Sequence, residues 1–377
     1  MEPERHIEPT DLSSEQSAPL VLERLIQQAE KAQASDIHLQ MGAGSASISF
    51  RLDGVMTRAG QLPSELAERV IGRIKFLARL KTYQESLPQD GRIDKASVQT
   101  RNDLRVATYP TVTGEKIVLR LFHSATVKTL GELDFPAAAR LELERFLGQT
   151  LGLLLLTGPA GSGKTTTIYA CLRHLAEQSG RHIITIEDPA EQIIPGIMQT
   201  EVSEPRGLDF PKAARHLLRQ DPQVLMIGEI RDEETANIAV RAALTGHLVI
   251  STLHAGSCRG VFERLLVLCG DHSAVATSVE LVLNQRLVRR LCRECAGKGC
   301  AGCLGTGYRG RLPLVEWVRP DDAQRRSVAA RRLETLAARP TLTGHAQTLL
   351  QAHLTNRAEV ERVLGIGSGS GTGVEKA

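Results

Sequence analysis

The sequence predicts an α/β protein with a doubly wound, mostly parallel sheet, preceded by a smaller α+β domain. After about residue 135, short apolar segments alternate with helical patterns, which is typical of parallel strands covered by helices on both faces. Before about residue 123, strand patterns and amphipathic helices follow one another without that regularity. The length of 377 residues also suits two domains better than one.

The N-terminal domain is expected to span residues 19–123. Leu20, Val21, Leu25 and Ile26 form a helical stripe, and a second amphipathic helix is predicted over 63–80. Strands are predicted over 46–50, 103–109 and 116–122. We expect residues 1–18 to be a mobile lead segment, 124–134 a hinge linker and 365–377 a flexible Gly/Ser tail.

The second domain is expected to span residues 135–364, including a small cysteine-rich subdomain at 290–312 and the C-terminal helices. Its predicted helices and strands alternate along the chain. The helices are expected over 137–147 and 163–178, and the strands over 151–156, 182–187, 223–227 and 247–252.

Composition argues against two classes of protein. The formal net charge is only +3 and aromatic residues make up 3%, which disfavours a surface built to bind nucleic acid. The longest apolar run, Leu151–Leu156, is far shorter than the ~20 residues of a membrane-spanning helix. The polar, acidic start lacks the pattern of a secretion leader. We therefore expect a cytoplasmic protein that reaches a membrane only through partners.

A glycine-rich loop of the form G-x-x-x-x-G-K-[ST] follows the apolar run and precedes a helical pattern, which is the context of a phosphate-binding loop. Backbone N–H groups of such a loop converge on phosphate oxygens. Lys164 is expected to reach the β- and γ-phosphates of ATP, and Thr165 to hold Mg²⁺. A glycine-rich turn with an exposed lysine is the alternative. The candidate nucleotide-binding residues are Gly158, Pro159, Ala160, Gly161, Ser162, Gly163, Lys164, Thr165 and Thr166.

Two apolar strand patterns end in acidic residues, as phosphoryl transfer requires for the metal ion or the attacking water. One ends at Glu187 and the other is followed by Gly228 and Glu229. A doubly wound sheet places its ligands where such strands end. Taken alone, either carboxylate would be better explained as a helix cap or a solvated side chain, but a neighbouring phosphate loop favours the catalytic interpretation.

Four of the seven cysteines are clustered, with two residues inside each pair and four between the pairs. Without a secretion signal, metal ligation is favoured over disulfides. Four thiolates are the ligand number of a closed tetrahedral zinc site. Four reduced thiols in a glycine-rich loop are the alternative. The candidate ligands are Cys292, Cys295, Cys300 and Cys303.

Longer motifs resemble those of the secretion and type IV pilus assembly ATPases, specifically the type II secretion branch. Segments 218–222 and 228–232 resemble the Walker B region, 245–254 the histidine box and 186–191 the aspartate box. Residues 35–38, 51–54, 89–92 and 105–110 resemble parts of the family's second N-terminal domain, and 305–311 completes its tetracysteine region. The sequence departs from the family in the short spacing between its cysteine pairs. Its N-terminus also looks shortened, because about 18 residues stand where an additional docking domain is usual.

The resemblance implies a RecA-like P-loop core and assigns roles to four acidic and basic side chains near the nucleotide. Glu187 would orient or deprotonate the attacking water, and Glu229 would act on Mg²⁺. His254, and also His247, would sense the γ-phosphate or transmit its state. A packed core histidine is an equally good interpretation of His247.

The resemblance also makes Arg105 and Arg120 arginine fingers, contributed to the ATP by the N-terminal domain, with Arg92 as a weaker third candidate. A guanidinium can bind two phosphate oxygens at once and is always charged. Without the resemblance, exposed strand arginines would be the better interpretation.

The chain is therefore predicted to be an ATP-hydrolysing motor that powers assembly of a type II secretion pseudopilus or a type IV pilus. The resemblance implies a hexamer, peripheral at the inner membrane, acting on a membrane platform protein, with ATP, Mg²⁺ and structural Zn²⁺ as cofactors. A hexameric RecA-like nucleic-acid motor or DNA-uptake ATPase is the alternative, because similar cores drive both. A catalytically weak, nucleotide-gated scaffold is a second alternative, which the intact phosphate loop and acidic residues disfavour.

Overall fold

The structure, a computed structural model, describes residues 17–98, 100, 103–121, 127–178, 180–203 and 207–365. These residues form two compact units. The first contains the N-terminal residues through Leu121 together with Arg289–Gly310, and the second contains 127–288 and the residues from Arg311 onward. Most of the expected lead segment and tail lie outside the described residues. No helix among the described residues has the length and hydropathy needed to cross a membrane.

The first unit is built on a six-stranded sheet with the order β3-β2-β1-β6-β5-β4, in which all neighbouring strands are antiparallel. Side chains alternate between the faces of these strands, and one face carries the apolar core that helices α1 and α2 cover. The described elements are α1 (Ala18–Lys31), β1 (Asp36–Met41), β2 (Ser45–Leu52), β3 (Val55–Pro63), α2 (Ser64–Leu77), β4 (Gln89–Ile93), β5 (Leu104–Thr111) and β6 (Gly114–Leu121).

The second unit is built on a seven-stranded sheet with the order β13-β12-β7-β11-β10-β8-β9, parallel from β12 to β9. Its described elements are α3 (Ala137–Leu147), β7 (Gly152–Thr157), α4 (Lys164–Gln178), β8 (Ile183–Glu187), β9 (Met198–Glu201), α5 (Phe210–Leu217), β10 (Val224–Ile227), α6 (Glu233–Leu244), β11 (Leu248–Thr252), α7 (Cys258–Leu268), α8 (His272–Ser278), β12 (Val279–Leu291), β13 (Tyr308–Val318), α9 (Asp322–Ala329), α10 (Leu342–Gln351) and α11 (Arg357–Leu364).

Strand β7 shows why this sheet is buried on both faces. Leu153 and Leu155 belong to the apolar cluster that includes α5, α6 and α7, whereas Leu154 and Leu156 belong to the cluster that includes α3 and α4. Successive side chains of a strand point to opposite faces. An uninterrupted run of leucines therefore fits a strand with helices on both sides, and the sequence-based expectation of a covered parallel sheet is confirmed.

Part of the segment 124–134, which is expected to be a hinge, has regular structure. Residues 124–126 lie outside the described residues, but Leu130–Leu133 forms a 3₁₀ turn whose two leucines are buried against the second unit's core. Thr129 and Glu132 form a capping box at its start, which satisfies otherwise unpaired N–H groups. The hydrophobic contacts and the cap fix this segment, although its sequence has no clear periodicity.

The expected division also differs at 290–312, which the sequence assigns to the second domain. The structure groups Arg289–Gly310 with the first unit. Leu304 packs against that unit's apolar core, and the Gly310 N–H donates to Asp53 Oδ2 at 3.0 Å. The strands on either side belong to the second unit's sheet, so position along the chain does not reveal where the segment between them packs.

Candidate functional site

The candidate site lies at the carboxyl edge of the parallel sheet. Ile227 of β10 pairs with Ile186 of β8 and with Ser251 of β11, and Thr252 of β11 pairs with Leu156 of β7. The turns that follow these strands therefore leave the sheet at the same level, as expected for a doubly wound fold. They line a cavity of about 210 Å³ together with the first turns of α4.

The phosphate loop connects β7 to α4 and depends on glycine at two crowded positions. Gly158 and Gly163 have φ angles of +142° and +89°, which side chains disfavour. A Cβ atom on Gly158 would lie 2.3 Å from the Gln285 carbonyl oxygen, and one on Gly163 would lie 2.7 Å from Gln285 Nε2. The loop thus packs tightly against β12, which explains the glycines at these positions.

Lys164 and Thr165 begin α4 and line the cavity. The Lys164 ammonium donates to the carbonyl oxygens of Gly158 and Pro159, at 2.8 and 3.0 Å. Burial lowers the pKa of Lys164, and the nearby Arg286 guanidinium acts in the same direction. The loop therefore concentrates positive charge at a helix N-terminus, where an anion is stabilised.

The two predicted acidic residues, Glu187 and Glu229, both line this cavity. Glu187 ends β8 and only 4% of its surface is exposed. Glu229 follows Gly228, whose N–H donates to the Ile186 carbonyl at 2.8 Å. Glu229 is more exposed than Glu187 and accepts a hydrogen bond from Arg231.

The structure separates the two predicted histidines. His254 lines the cavity, and its Nε2 lies 3.7 Å from Glu229 Oε2. His247 precedes β11 at the opposite edge of the sheet, where its Nδ1 lies 3.0 Å from the Ala242 carbonyl oxygen. A five-residue strand spans about 16 Å. The motif therefore does not bring His247 to this cavity, and its half-buried side chain contacts the C-terminal end of α6.

The predicted arginine fingers lie in the first unit, where they form a row across adjacent strands. Arg92, Arg105 and Arg120 are successive cross-strand partners on β4, β5 and β6. Arg120 pairs in turn with Asp36 of β1, and its Nε lies 3.0 Å from Asp36 Oδ1. Burial opposes ionisation of Asp36, but hydrogen bonds from Ser35 and Arg120 outweigh it and lower the pKa of that carboxyl. The row therefore places three guanidinium groups on adjacent strands, and the buried Asp36 carboxylate binds the last of them, Arg120.

The four clustered cysteines are brought together as predicted. Their sulfur atoms all lie within 4.8 Å of one another, with Cys292 to Cys300 at 3.9 Å and Cys295 to Cys303 at 3.8 Å. A zinc tetrahedron with Zn–S bonds of ~2.3 Å has edges of ~3.8 Å. The donor set therefore fits zinc.

Glycines make the short spacing between the cysteine pairs possible. Gly297 and Gly299 have φ angles of +89° and +92°, and a Cβ on Gly299 would lie 2.8 Å from the Gly305 carbonyl oxygen. Burial raises the pKa of the Cys303 thiol, but the N–H groups of Cys300 and Gly307 outweigh it and lower the pKa to about 7. Such N–H groups stabilise a thiolate, which is the form that binds metal.

Four further side chains at the site were not singled out by the sequence analysis. Tyr169 lines the cavity, and Gln199 donates to Glu187. Arg231 contacts both Glu229 and Asp188. Arg286 of β12 lies beside the phosphate loop and donates to three oxygens, those of Asn284, Gln285 and Gly256. Arg231 belongs to segment 228–232, which resembles the Walker B region, but the other three residues belong to no recognised motif.

Comparison with known proteins identifies the family. Residues 11–362 match the family model described as "Type II/IV secretion system protein". The chain is 39% identical over 333 residues to the "Putative type II secretion system protein E" of Escherichia coli K12, covering 81% of this chain and 67% of that protein. It is 40% identical over 343 residues to the "Type II secretion system protein E" of Klebsiella pneumoniae, covering 84% and 69%.

Two solved structures have the same fold. The Legionella pneumophila ATPase DotB superposes with a TM-score of 0.72 at 22% identity, covering 94% of this chain and 97% of that one. The pilus retraction motor PilT superposes with a TM-score of 0.63 at 24% identity, covering 90% and 96%. These similarities confirm the predicted RecA-like α/β core with its smaller N-terminal domain.

The family match also decides between the functions considered from sequence. It supports a secretion or pilus motor that hydrolyses ATP, and it does not support the nucleic-acid motor. With its phosphate loop and acidic residues in one cavity, the chain belongs to the type II/IV secretion system protein family, as an ATPase of the secretion and pilus motors.

Proposed function

We propose that this ATPase works as a hexamer at the cytoplasmic face of the inner membrane, where it powers assembly of a type II secretion pseudopilus or a type IV pilus. It would reach the membrane through partners and act on a membrane platform protein. The observation that carries the proposal is that Lys164, Thr165, Glu187, Glu229 and His254 line one cavity in a chain of this family.

The cavity residues divide the work of phosphoryl transfer. ATP would be bound by Gly158–Thr166, with Lys164 on the β- and γ-phosphates and Thr165 on Mg²⁺. Glu187 would orient or deprotonate the attacking water, and Glu229 would act on Mg²⁺ from the end of β10. His254, 3.7 Å from Glu229, would respond to the γ-phosphate through that carboxylate.

The arginine row of the first unit supplies the remaining chemistry. Arg105 and Arg120 would stabilise charge on the transferred phosphoryl group as arginine fingers, because a guanidinium binds two phosphate oxygens in a planar fork. The buried Asp36 carboxylate supports this role, since its Oδ1 lies 3.0 Å from Arg120 Nε and so orients the guanidinium.

The four cysteines would hold a structural zinc ion. All four sulfur atoms would be ligands, which leaves no position for water or substrate. The zinc would stabilise the turn that places Leu304 in the first unit's core.

Replacing Glu229 with glutamine tests the hydrolytic role. We expect kcat for ATP to fall by about 10²–10³-fold, a loss typical of a group that stabilises transition-state charge. ATP affinity should change little, because Lys164 and Thr165 remain. Phosphate release measures the first quantity, and fluorescent nucleotide binding measures the second. Secretion or piliation by a strain carrying only this variant should also fail.

Glu263→Gln is the matched control, because Glu263 is exposed on α7 and pairs with Arg259. Hydrolysis by Glu229→Gln at the rate of the parent would contradict the assignment.

The two histidines are expected to respond differently to substitution. His254→Ala should lower kcat by about tenfold or more, because His254 faces the reacting phosphate, a position of general acid–base or electrostatic effect. His247→Ala should keep kcat within about threefold of the parent, because a packed histidine contributes to stability and not to the transition state. Steady-state kinetics at matched protein concentration measure both. Equal losses in the two variants would argue against the placement.

Arg105→Lys and Arg120→Lys test the arginine fingers while keeping the positive charge. Each should lower kcat by about tenfold or more, because a lysine cannot form the bidentate contact that gives arginine fingers their large effect. Arg58→Lys, at an exposed position on β3 of the same sheet, should behave like the parent. Parent-like kcat in both test variants would remove these residues from the reaction.

Metal analysis of freshly purified protein tests the zinc site. We expect about one zinc ion per chain, the stoichiometry of a four-thiolate site. Cys292→Ser should lose the metal and lower the melting temperature, whereas Cys269→Ser, at a buried cysteine outside the cluster, should retain it. Fresh parent protein without zinc would refute the site.

A further inference from the structure

The Glu187 carboxylate is held by three side chains that donate hydrogen bonds to it. Thr185 Oγ1 and Gln199 Nε2 donate to Oε1 at 2.6 and 2.9 Å, and the Tyr169 hydroxyl donates to Oε2. Each donor is neutral, and no lysine, arginine or histidine in the described part of the chain forms an ion pair with Glu187. A carboxylate offers about four lone-pair sites. One direction, on Oε2, thus remains for another donor.

Tyr169 connects this carboxylate to the phosphate loop. It lies four residues after Thr165 on α4, so the two side chains share one face of the helix. Its ring is buried, and its oxygen also accepts from the Glu191 N–H at 2.9 Å. Burial, and then the hydrogen bond to Glu187, raise the pKa of Tyr169 well above its usual range. The hydroxyl therefore stays protonated and continues to donate.

Gln199 on β9 is oriented so that only its NH₂ group can face Glu187. Its Oε1 accepts from the Ile194 N–H at 2.7 Å, and its Nε2 also donates to the Gln192 carbonyl at 2.9 Å. These backbone contacts fix which end of the amide points to the carboxylate. Gln199 and Tyr169 thus approach Glu187 from β9 and from α4, and each is anchored to the segment 191–194.

Hydrogen bonds from β8, β9 and α4 fix the direction in which this carboxylate points. A side chain that served only to fill space would not need hydroxyl and amide groups whose hydrogen bonds converge on one carboxylate in a cavity with the phosphate-loop lysine. The arrangement instead suits a carboxylate that must keep one orientation and one free acceptor site.

We propose that Tyr169 and Gln199 are positioning residues that hold the Glu187 carboxylate in one orientation, with one acceptor direction available to orient the attacking water. Glu187 then aligns the water by accepting its hydrogen bond. This inference rests on the proposed role of Glu187 in hydrolysis.

Kinetics of Tyr169→Phe and Gln199→Met test the proposal, because each variant removes a donor and keeps most of the side-chain volume. We expect kcat to fall by about 10–100-fold in each, the loss typical of partners that orient a functional group, while KM for ATP stays within about threefold. Tyr83→Phe, at an exposed tyrosine of the first unit, is the matched control and should equal the parent.

Combination with Glu187→Gln separates positioning from a structural role. If Tyr169 acts through Glu187, adding Tyr169→Phe to Glu187→Gln should produce little further loss, because the effects of residues that act as a unit are not additive. Multiplicative losses, parallel changes in KM and kcat, or parent-like kcat in both single variants would overturn the proposal.

The Glu187→Gln variant by itself separates the proposed role of Glu187 in hydrolysis from the proposed positioning roles of Tyr169 and Gln199. Parent-like hydrolysis by Glu187→Gln would refute the proposed role of Glu187, and the positioning proposal with it. If Glu187→Gln is inactive while the separate single variants Tyr169→Phe and Gln199→Met are fully active, only the positioning proposal is refuted.

Discussion

Because β7, β8, β10 and β11 run parallel, the turns that follow these four strands all lie at the same edge of the sheet. Backbone hydrogen bonds extend this alignment beyond the strands. The Gly228 N–H donates to the Ile186 carbonyl at 2.8 Å, and the Leu253 N–H donates to the Leu156 carbonyl at 3.1 Å. These bonds hold the residues next to Glu187, Glu229 and His254 in a fixed relation to the phosphate loop. The relative positions of the site residues therefore depend on the strand register. The buried leucine, valine and isoleucine side chains maintain that register.

The same edge presents two carboxylates in different surroundings. Glu187 is buried and meets neutral donors, whereas Glu229 is more exposed and meets the Arg231 guanidinium. Two acids whose surroundings differ in this way are suited to different tasks in one reaction. A carboxylate fixed by three neutral donors suits an oriented acceptor. A carboxylate paired with an exposed arginine suits a group that exchanges this partner for a bound cation.

The sequence predicted most of the fold and the centre of the site because both depend on local patterns. The glycine loop, the apolar run before it and the acids after β8 and β10 can each be recognised within about ten residues, as such motifs require. The placement of His247 depends on a different signal. The motif groups it with His254, but the strand predicted over 247–252 lies between them, and the two ends of a strand lie at opposite edges of the sheet. The sequence analysis did not identify Tyr169 and Gln199, because contacts between α4, β9 and β8 bring them to Glu187 from distant positions in the chain.

Helix α4 gives this long-range arrangement a simple mechanical basis. An α-helix rises 1.5 Å per residue, so the backbones of Thr165 and Tyr169 are only about 6 Å apart along a rigid rod. Anything that shifts the start of α4 must also shift the Tyr169 hydroxyl, and with it the hydrogen bond to Glu187. The phosphate loop and the acid proposed to orient the water are thus joined by one helical turn and one hydrogen bond. We therefore expect that a substitution in the loop can alter the orientation of Glu187 without contacting it.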